Sequence, residues 1–202
     1  MAWKSCFRND LFESKVALVS GGGTGIGRAI ATELATLGAT VVIASRNQSK
    51  CQAAADEINQ EILIVGGRTR KGRVIAGNST NIRSEVEIRS LVEYIIENFG
   101  SLDILVNNAG GQFISPAEDI SRNGMAAVLE TNLIGTFLLC REAYALYMQD
   151  HGGSIVNITL GNRNGMPGMM HSGASRAGVE NMTATLCTEW IESNVRINCV
   201  RP

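Results

Sequence analysis

An apolar, β-rich run, Val16 to Ser20, passes directly into Gly21, Gly22, Gly23, Thr24, Gly25, Ile26 and Gly27, and a stripe at helical spacing, Ile26, Ile30, Leu34 and Leu37, follows until Gly38. Strand, glycine turn and helix in that order admit few folds. Gly21 can supply the tight turn, Gly25 lets backbone approach a pyrophosphate with no Cβ in the way, and Gly27 lets the helix pack closely on its strand. The helix then directs unpaired N–H groups and the positive end of its dipole at an anion. A purely structural βα turn can have the same composition, so the flanking strand and helix carry the argument.

The rest of the chain repeats the alternation. Strand-like runs lie at Thr40 to Ala44, Arg73 to Ala76, Ile104 to Asn107, Ser154 to Ile158 and Arg196 to Val200. Between them the clearest helical spacing is Ile88, Leu91, Val92, Ile95, Ile96 and Phe99, stopped by Gly100. Strands separated by helices pair in parallel, and right-handed crossovers build an α/β, Rossmann-like, doubly wound sheet. A length of 202 residues suits one such domain spanning 1–202. Only Gly66 to Arg73, with Arg68, Arg70 and Lys71 among glycines, reads as an irregular loop; it could meet phosphates or simply be solvated.

Composition removes several function classes. A net charge of -1 provides no broad field for nucleic acid. Hydrophobic content of 45% against 18% charged residues excludes a disordered chain, and no apolar run approaches the ~20 residues of a membrane span. Lys4, Arg8, Asp10 and Glu13 do not suit a secretory leader. Five scattered cysteines without a Cys-x-x-Cys pair suit a reducing compartment and argue against a zinc site.

The end of the second strand discriminates between dinucleotides. An acid there would bind a ribose 2′-hydroxyl and repel a 2′-phosphate. Ser45 and Arg46 stand there instead, so the expectation is NADP(H), with Arg28 as a second cation for the same site. A charge-assisted hydrogen bond of about 1.5–3 kcal/mol favours NADP over NAD by roughly tenfold or more. The alternative is that Arg46 is an ordinary solvated arginine.

The glycine turn, the Asn107-Asn108-Ala109-Gly110 segment and Asn132 within Glu-Thr-Asn-Leu together resemble the short-chain dehydrogenase/reductase family over nearly the whole chain. Two strings, Gly111 to Glu118 and His171 to Val179, resemble that family's branch of peroxisomal trans-2-enoyl-CoA reductases. The resemblance implies coenzyme contacts from Gly21, Thr24, Gly25, Ile26, Gly27, Ser45, Arg46, Asn81, Ile82, Asn108, Ala109 and Gly110, with Asn81 standing where an acid commonly touches adenine. It implies NADPH-dependent reduction of an enoyl-CoA in fatty acid metabolism, an acyl-CoA partner, a peroxisomal address and a homo-oligomer. Asn132 would hold a water for proton delivery.

The sequence departs from the family at the usual serine, Tyr-x-x-x-Lys set. Ser172 takes the tyrosine slot, Arg176 the lysine slot, and Thr159 or Leu160 the serine slot; Glu180 follows Ala-Gly-Val where related enoyl-CoA reductases can offer a tyrosine. Neither Ser172 nor Arg176 can pass a proton near neutral pH, so both are expected to act as donors. His171 is the nearby imidazole, either an acid or a packed residue. Relatives continue beyond the sixth strand, so the chain reads as truncated there, with an exposed sheet edge and no Ser-Lys-Leu tripeptide at Pro202. Two other functions stay open: a carbonyl reductase, and an NADP(H)-binding module without catalysis. Met166, Met169 and Met170 could line an acyl channel or fill core, Gln112 to Pro116 could touch substrate, Cys140 and Cys187 are expected to pack as small apolar groups, and His151 to sit in a turn.

Overall fold

The computed structural model describes residues 6–66, 71–161 and 164–202. Six strands, β1 (Val16–Ser20), β2 (Thr40–Ala44), β3 (Arg73–Ala76), β4 (Ile104–Asn107), β5 (Gly153–Ile158) and β6 (Val195–Val200), form one parallel sheet in the order β3-β2-β1-β4-β5-β6. Strand assignment from the sequence differs only at the first residue of β5 and of β6. The helices are α1 (Gly25–Thr36), α2 (Gln48–Gly66), α3 (Glu85–Phe99), α4 (Arg122–Leu129), α5 (Gly135–Ala143), α6 (Gln149–His151) and α7 (Met170–Glu189). This is the doubly wound fold that the alternation predicts.

Successive strand residues point to opposite faces, and the core divides accordingly. Ala17, Val19, Val41 and Ile43 pack under α1 and α2 with Ala31, Ala35, Ala55 and Ile58. Val16, Leu18, Leu105 and Ile155 pack on the other face under α3, α5 and α7 with Ile88, Leu91, Leu139 and Leu186. The buried face of α1 is Gly27, Ala31 and Ala35, whereas Ile26 is half exposed; small residues let this helix lie close to β1, so the apolar stripe misjudges which face is inside. Ile30 and Leu34 instead border a hollow of about 660 Å³ beside β4 to β6, walled by Ile104, Val156, Ile158 and Val200.

The helices start and stop where local chemistry requires. Ser84 caps α3 by accepting from the Glu87 amide, Glu87 reaches back to accept from the Asn81 amide, and Gly100 closes the far end with φ +78°. From Arg122 to His151 the chain is one helical stretch of 30 residues, interrupted by π-helical turns at Glu130–Ile134 and Tyr144–Met148. No single apolar run has the length of a membrane span, but this stretch as a whole does. It is the central core helix of the α5 face, burying Leu138, Leu139, Cys140, Ala143 and Met148. The expected loop from Gly66 to Arg73 is shortened by α2 at one end and β3 at the other, and Arg68 and Arg70 lie outside the described residues.

Candidate functional site

After β1 the chain crosses to one face of the sheet and after β4 to the other, so a crevice opens between Ser20 and Asn107, whose strands are neighbours. Gly21 turns there at φ +67° and donates its amide to Ala44 (2.8 Å). Thr24 sits extended at the N-cap of α1 with no side-chain cap, and Thr24, Gly25 and Ile26 are exposed. A Cβ on Gly25 would meet nothing, while one on Gly27 would collide with the Gly21 backbone and the Asn108 amide. The glycines thus divide between an open cradle and close packing.

Two residues lock the cradle to the end of β4. Asn108 Nδ2 donates to the Ser20 and Gly21 carbonyls (3.1 and 3.2 Å). The buried Ser20 hydroxyl accepts from the Asn108 and Ala109 amides, both at 3.1 Å. Sequence reasoning missed Ser20, since nothing local marks a strand serine as the partner of a loop 88 positions away.

At the end of β2, Ser45 and Arg46 occupy the corner beside the glycine turn, where Ser20 pairs in register with Ala44. Arg46 is exposed and forms no ion pair among the described residues. Its backbone is held by Ser79 Oγ, which donates to the Arg46 carbonyl (3.0 Å), and Thr80 N donates to the Ser45 carbonyl (3.0 Å). The Ser45 hydroxyl is used locally, accepting from the Asn47 amide and lying 3.2 Å from Cys51 Sγ. Arg28 is not available to a phosphate as the sequence suggests: Glu57 and Glu61 of α2 take its guanidinium at 3.0 and 2.9 Å. Asn81 spends its side chain on the turn before α3, accepting from the Arg83 amide, and Ile82 is buried against Gly135.

On the other side of the crevice Gly110 lies between Asn132 and Arg176, and Ser172 sits one turn before Arg176 on the buried face of α7. Asn132 lies in the π-helical turn and is fully buried. It clamps Gly111 twice, accepting from its amide (2.9 Å) and donating to its carbonyl (3.0 Å), and also donates to Ser175 Oγ (3.3 Å). A π-helical turn is common at functional sites because it re-aims one side chain. Arg176 is 8% exposed, donates to the Ile158 carbonyl (2.9 Å), has no carboxylate partner among the described residues and leaves Nε unpartnered. Burial holds its pKa below the usual arginine value. The guanidinium lies so close to Gly110 that a Cβ there would overlap it. A buried, uncompensated cation beside an open crevice is a standing demand for an anion or several acceptors.

Ser172 is fully buried and donates its hydroxyl to Gln112 Oε1 (2.8 Å). His171 is also fully buried, both ring nitrogens are without partners among the described residues, and Phe113 packs edge-on against it with centroids 4.3 Å apart. Thr159 faces β6, its amide donating to Val200, whereas Leu160 makes no polar contribution by its chemistry. Met166 and Met170 wall a hollow of about 480 Å³ with Pro167 and Ala174, next to Ser172 on the chain. Cys140 packs in the core as expected, its thiol pushed up to about 12 by burial, but Cys187 is exposed because it falls on the outer face of α7. His151 ends α6 and stacks on Tyr147 at 4.2 Å.

Comparison with known proteins fits this geometry. The profile of the short chain dehydrogenase family matches residues 15–202. A peroxisomal 2,4-dienoyl-CoA reductase, (3E)-enoyl-CoA-producing, from Danio rerio is 39% identical over 195 residues, covering 96% of this chain and 62% of that protein. A probable 2,4-dienoyl-CoA reductase, (2E)-enoyl-CoA-producing, from Bacillus subtilis (strain 168) is 36% identical, covering 94% of this chain and 72% of that one. Among solved structures, a citronellol catabolism dehydrogenase (AtuB) from Pseudomonas aeruginosa PAO1 superposes with a TM-score of 0.90 at 43% identity, covering 99% of this chain and 78% of its own. The chain therefore spans less than two thirds of the Danio rerio relative's length.

Proposed function

The chain belongs to the short-chain dehydrogenase family, and from that premise we propose that it is an NADPH-dependent reductase of unsaturated acyl-CoA thioesters, with a conjugated 2,4-dienoyl-CoA as substrate. Family membership implies an oxidoreductase with a nicotinamide coenzyme. The observation that carries the finer reading is the reaction side of the crevice: a buried arginine without a counter-ion, a buried serine and a clamped asparagine, and no tyrosine–lysine pair to protonate a carbonyl. Such a set suits charge spread onto an oxygen more than proton transfer to a ketone, which disfavours the carbonyl reductase alternative.

The residues fit the coenzyme. Thr24, Gly25 and Ile26 offer an open helix terminus to the pyrophosphate, Arg46 a free cation to a 2′-phosphate, and Asn108, Ala109 and Gly110 line the floor between them. Bound there, a dihydronicotinamide supplies hydride to the far carbon of the alkene system. For a dienoyl-CoA giving a 3-enoyl product, hydrogen must arrive at C5 and C2, so an electron pair moves through both double bonds onto the thioester oxygen before a proton is added at Cα. Arg176 lowers the cost of that charge, Ser172 stands behind the site with its hydroxyl given to Gln112, and Asn132 holds the Gly111 backbone and a water for proton delivery.

A trans-2-enoyl-CoA is the second reading, favoured by the strings Gly111 to Glu118 and His171 to Val179; coenzyme binding without turnover is the third. The peroxisome, named for the Danio rerio relative, is the compartment this proposal assigns. The test is NADPH and NADH oxidation with 2,4-dienoyl-CoA, trans-2-enoyl-CoA and a ketone, on wild type and Arg46→Ala. Dienoyl-CoA should be reduced fastest, and the variant should lose roughly tenfold or more of its NADPH preference. Faster ketone reduction would overturn the reading, and an unchanged coenzyme preference would remove Arg46 from it.

A further inference from the structure

Arg46 is exposed and has no ion pair among the described residues, so the aim of its guanidinium must come from the backbone on which it stands. Both peptide planes that flank it are fixed. Before Arg46, the Ser45 carbonyl accepts from the Thr80 amide (3.0 Å). After it, the Arg46 carbonyl accepts from Ser79 Oγ (3.0 Å), and Asn47 N, on the same plane, donates to Ser45 Oγ (3.2 Å). Two fixed planes set φ and ψ, and with them the direction in which the Cα–Cβ bond leaves the chain. The holders are themselves held. Gly77 N donates to the Ile43 carbonyl (2.9 Å), carrying the β2–β3 ladder one residue past its last pair, and the buried Thr80 turns the loop by donating its hydroxyl to the Asn78 carbonyl (2.9 Å). On the other side Asn47 caps α2, its Oδ1 accepting from the Lys50 amide (2.9 Å).

We infer that Ser79 is a positioning residue for coenzyme choice, fixing the root of Arg46 so that its guanidinium is presented to a 2′-phosphate before the coenzyme arrives. This rests on the NADP(H) reading above. A long side chain gives up rotamer freedom when it grips a ligand, and whatever part of that freedom is already lost in the folded protein no longer weakens binding. Ser79 acts through Arg46, from a loop 33 positions away, and NADH, which has no 2′-phosphate, gains nothing from the arrangement. Of the bonds that hold the two planes, this one alone comes from a side chain outside the turn between β2 and α2, so a single substitution removes it and leaves the backbone bonds in place. The same loop runs on to Asn81 and Ile82, the residues expected at the adenine. The reader of the phosphate and the segment at the base are thus held as one unit.

Binding calorimetry reads this without turnover, using NADPH, NADH, and AMP with or without a 2′-phosphate. Ser79→Ala should raise Kd about three- to tenfold for the two ligands that carry the phosphate and by less than about twofold for the two that lack it, with Tm unchanged. Ser79→Thr keeps the hydroxyl and should keep the wild-type preference. In the Arg46→Ala background, Ser79→Ala should cost nothing further, because the group it positions is gone. An equal loss for all four ligands would make Ser79 a support of the loop alone and overturn the inference. An unchanged NADPH Kd in Ser79→Ala, or a full further loss in the Arg46→Ala background, would overturn it while leaving Arg46 as the reader of the phosphate. A wild type that binds AMP equally well with and without the 2′-phosphate removes the NADP(H) reading and this inference together.

Discussion

Arg176 is held out of water with one carbonyl bond and no carboxylate among the described residues, an arrangement that stability alone would not select. Arg176→Met should therefore yield a more stable and inactive protein. Removing the uncompensated charge should gain about 1 kcal/mol or more, a rise in Tm of roughly 2–4 °C by differential scanning fluorimetry, while turnover drops at least about 10²-fold. A fall in Tm would mean the guanidinium is compensated in the folded protein. Arg176 and Asn132 were nameable from sequence because each stands at a fixed offset in a family string. Gln112 was legible only as part of a segment that could touch substrate, and Ser20 not at all. Their roles arise from partners on other elements, Ser172 at a separation of 60 positions in one case and Asn108 in the other.

Among the elements, the strands were legible almost to the residue because parallel strands buried on both faces need short, β-branched runs. The inward face of α7 was not. The buried face of α7 is His171, Ser172, Ser175, Arg176, Val179, Thr183 and Leu186, mostly polar, so no apolar period announces it. A helix that turns its chemistry inward loses the signal by which helices are found. At the opposite end of the central strands, Asp103 ties β4 to β1, accepting from Lys15 (2.8 Å), the Val16 amide (2.9 Å) and Ser101 (2.9 Å). Burial pushes its carboxyl up, but these three donors outweigh that and hold it below the ordinary carboxylate value. A depressed folded-state pKa contributes stability that is present above the unfolded value near ~3.9 and lost as pH falls through the folded one. Asp103→Asn should thus cost about 1 kcal/mol at pH 7 after solvent screening, and urea unfolding should show the difference fading below about pH 4. A difference that stays constant from pH 7 to 3 would exclude the charge as its source.

In the whole molecule, β3 and β6 are the sheet's edges, and β6 carries Arg196, Asn198 and Val200 on its exposed side. Arg196 borders the hollow beside β4 to β6. In the 202-residue chain a charge on this outermost strand discourages pairing with another chain, so Arg196→Val should raise that chain's apparent mass in light scattering at matched concentration. An unchanged mass would show that the edge is protected by something other than this charge.

The sheet's centre also fixes a timetable. Its two middle strands are β1 and β4, three strands apart in chain order and joined through Ser20 and Asn108. A nascent chain leaving the ribosome must hold β1 with one flank open until β4 emerges, and the cradle proposed for the coenzyme, half of which is the β4 loop, comes into being only at that moment.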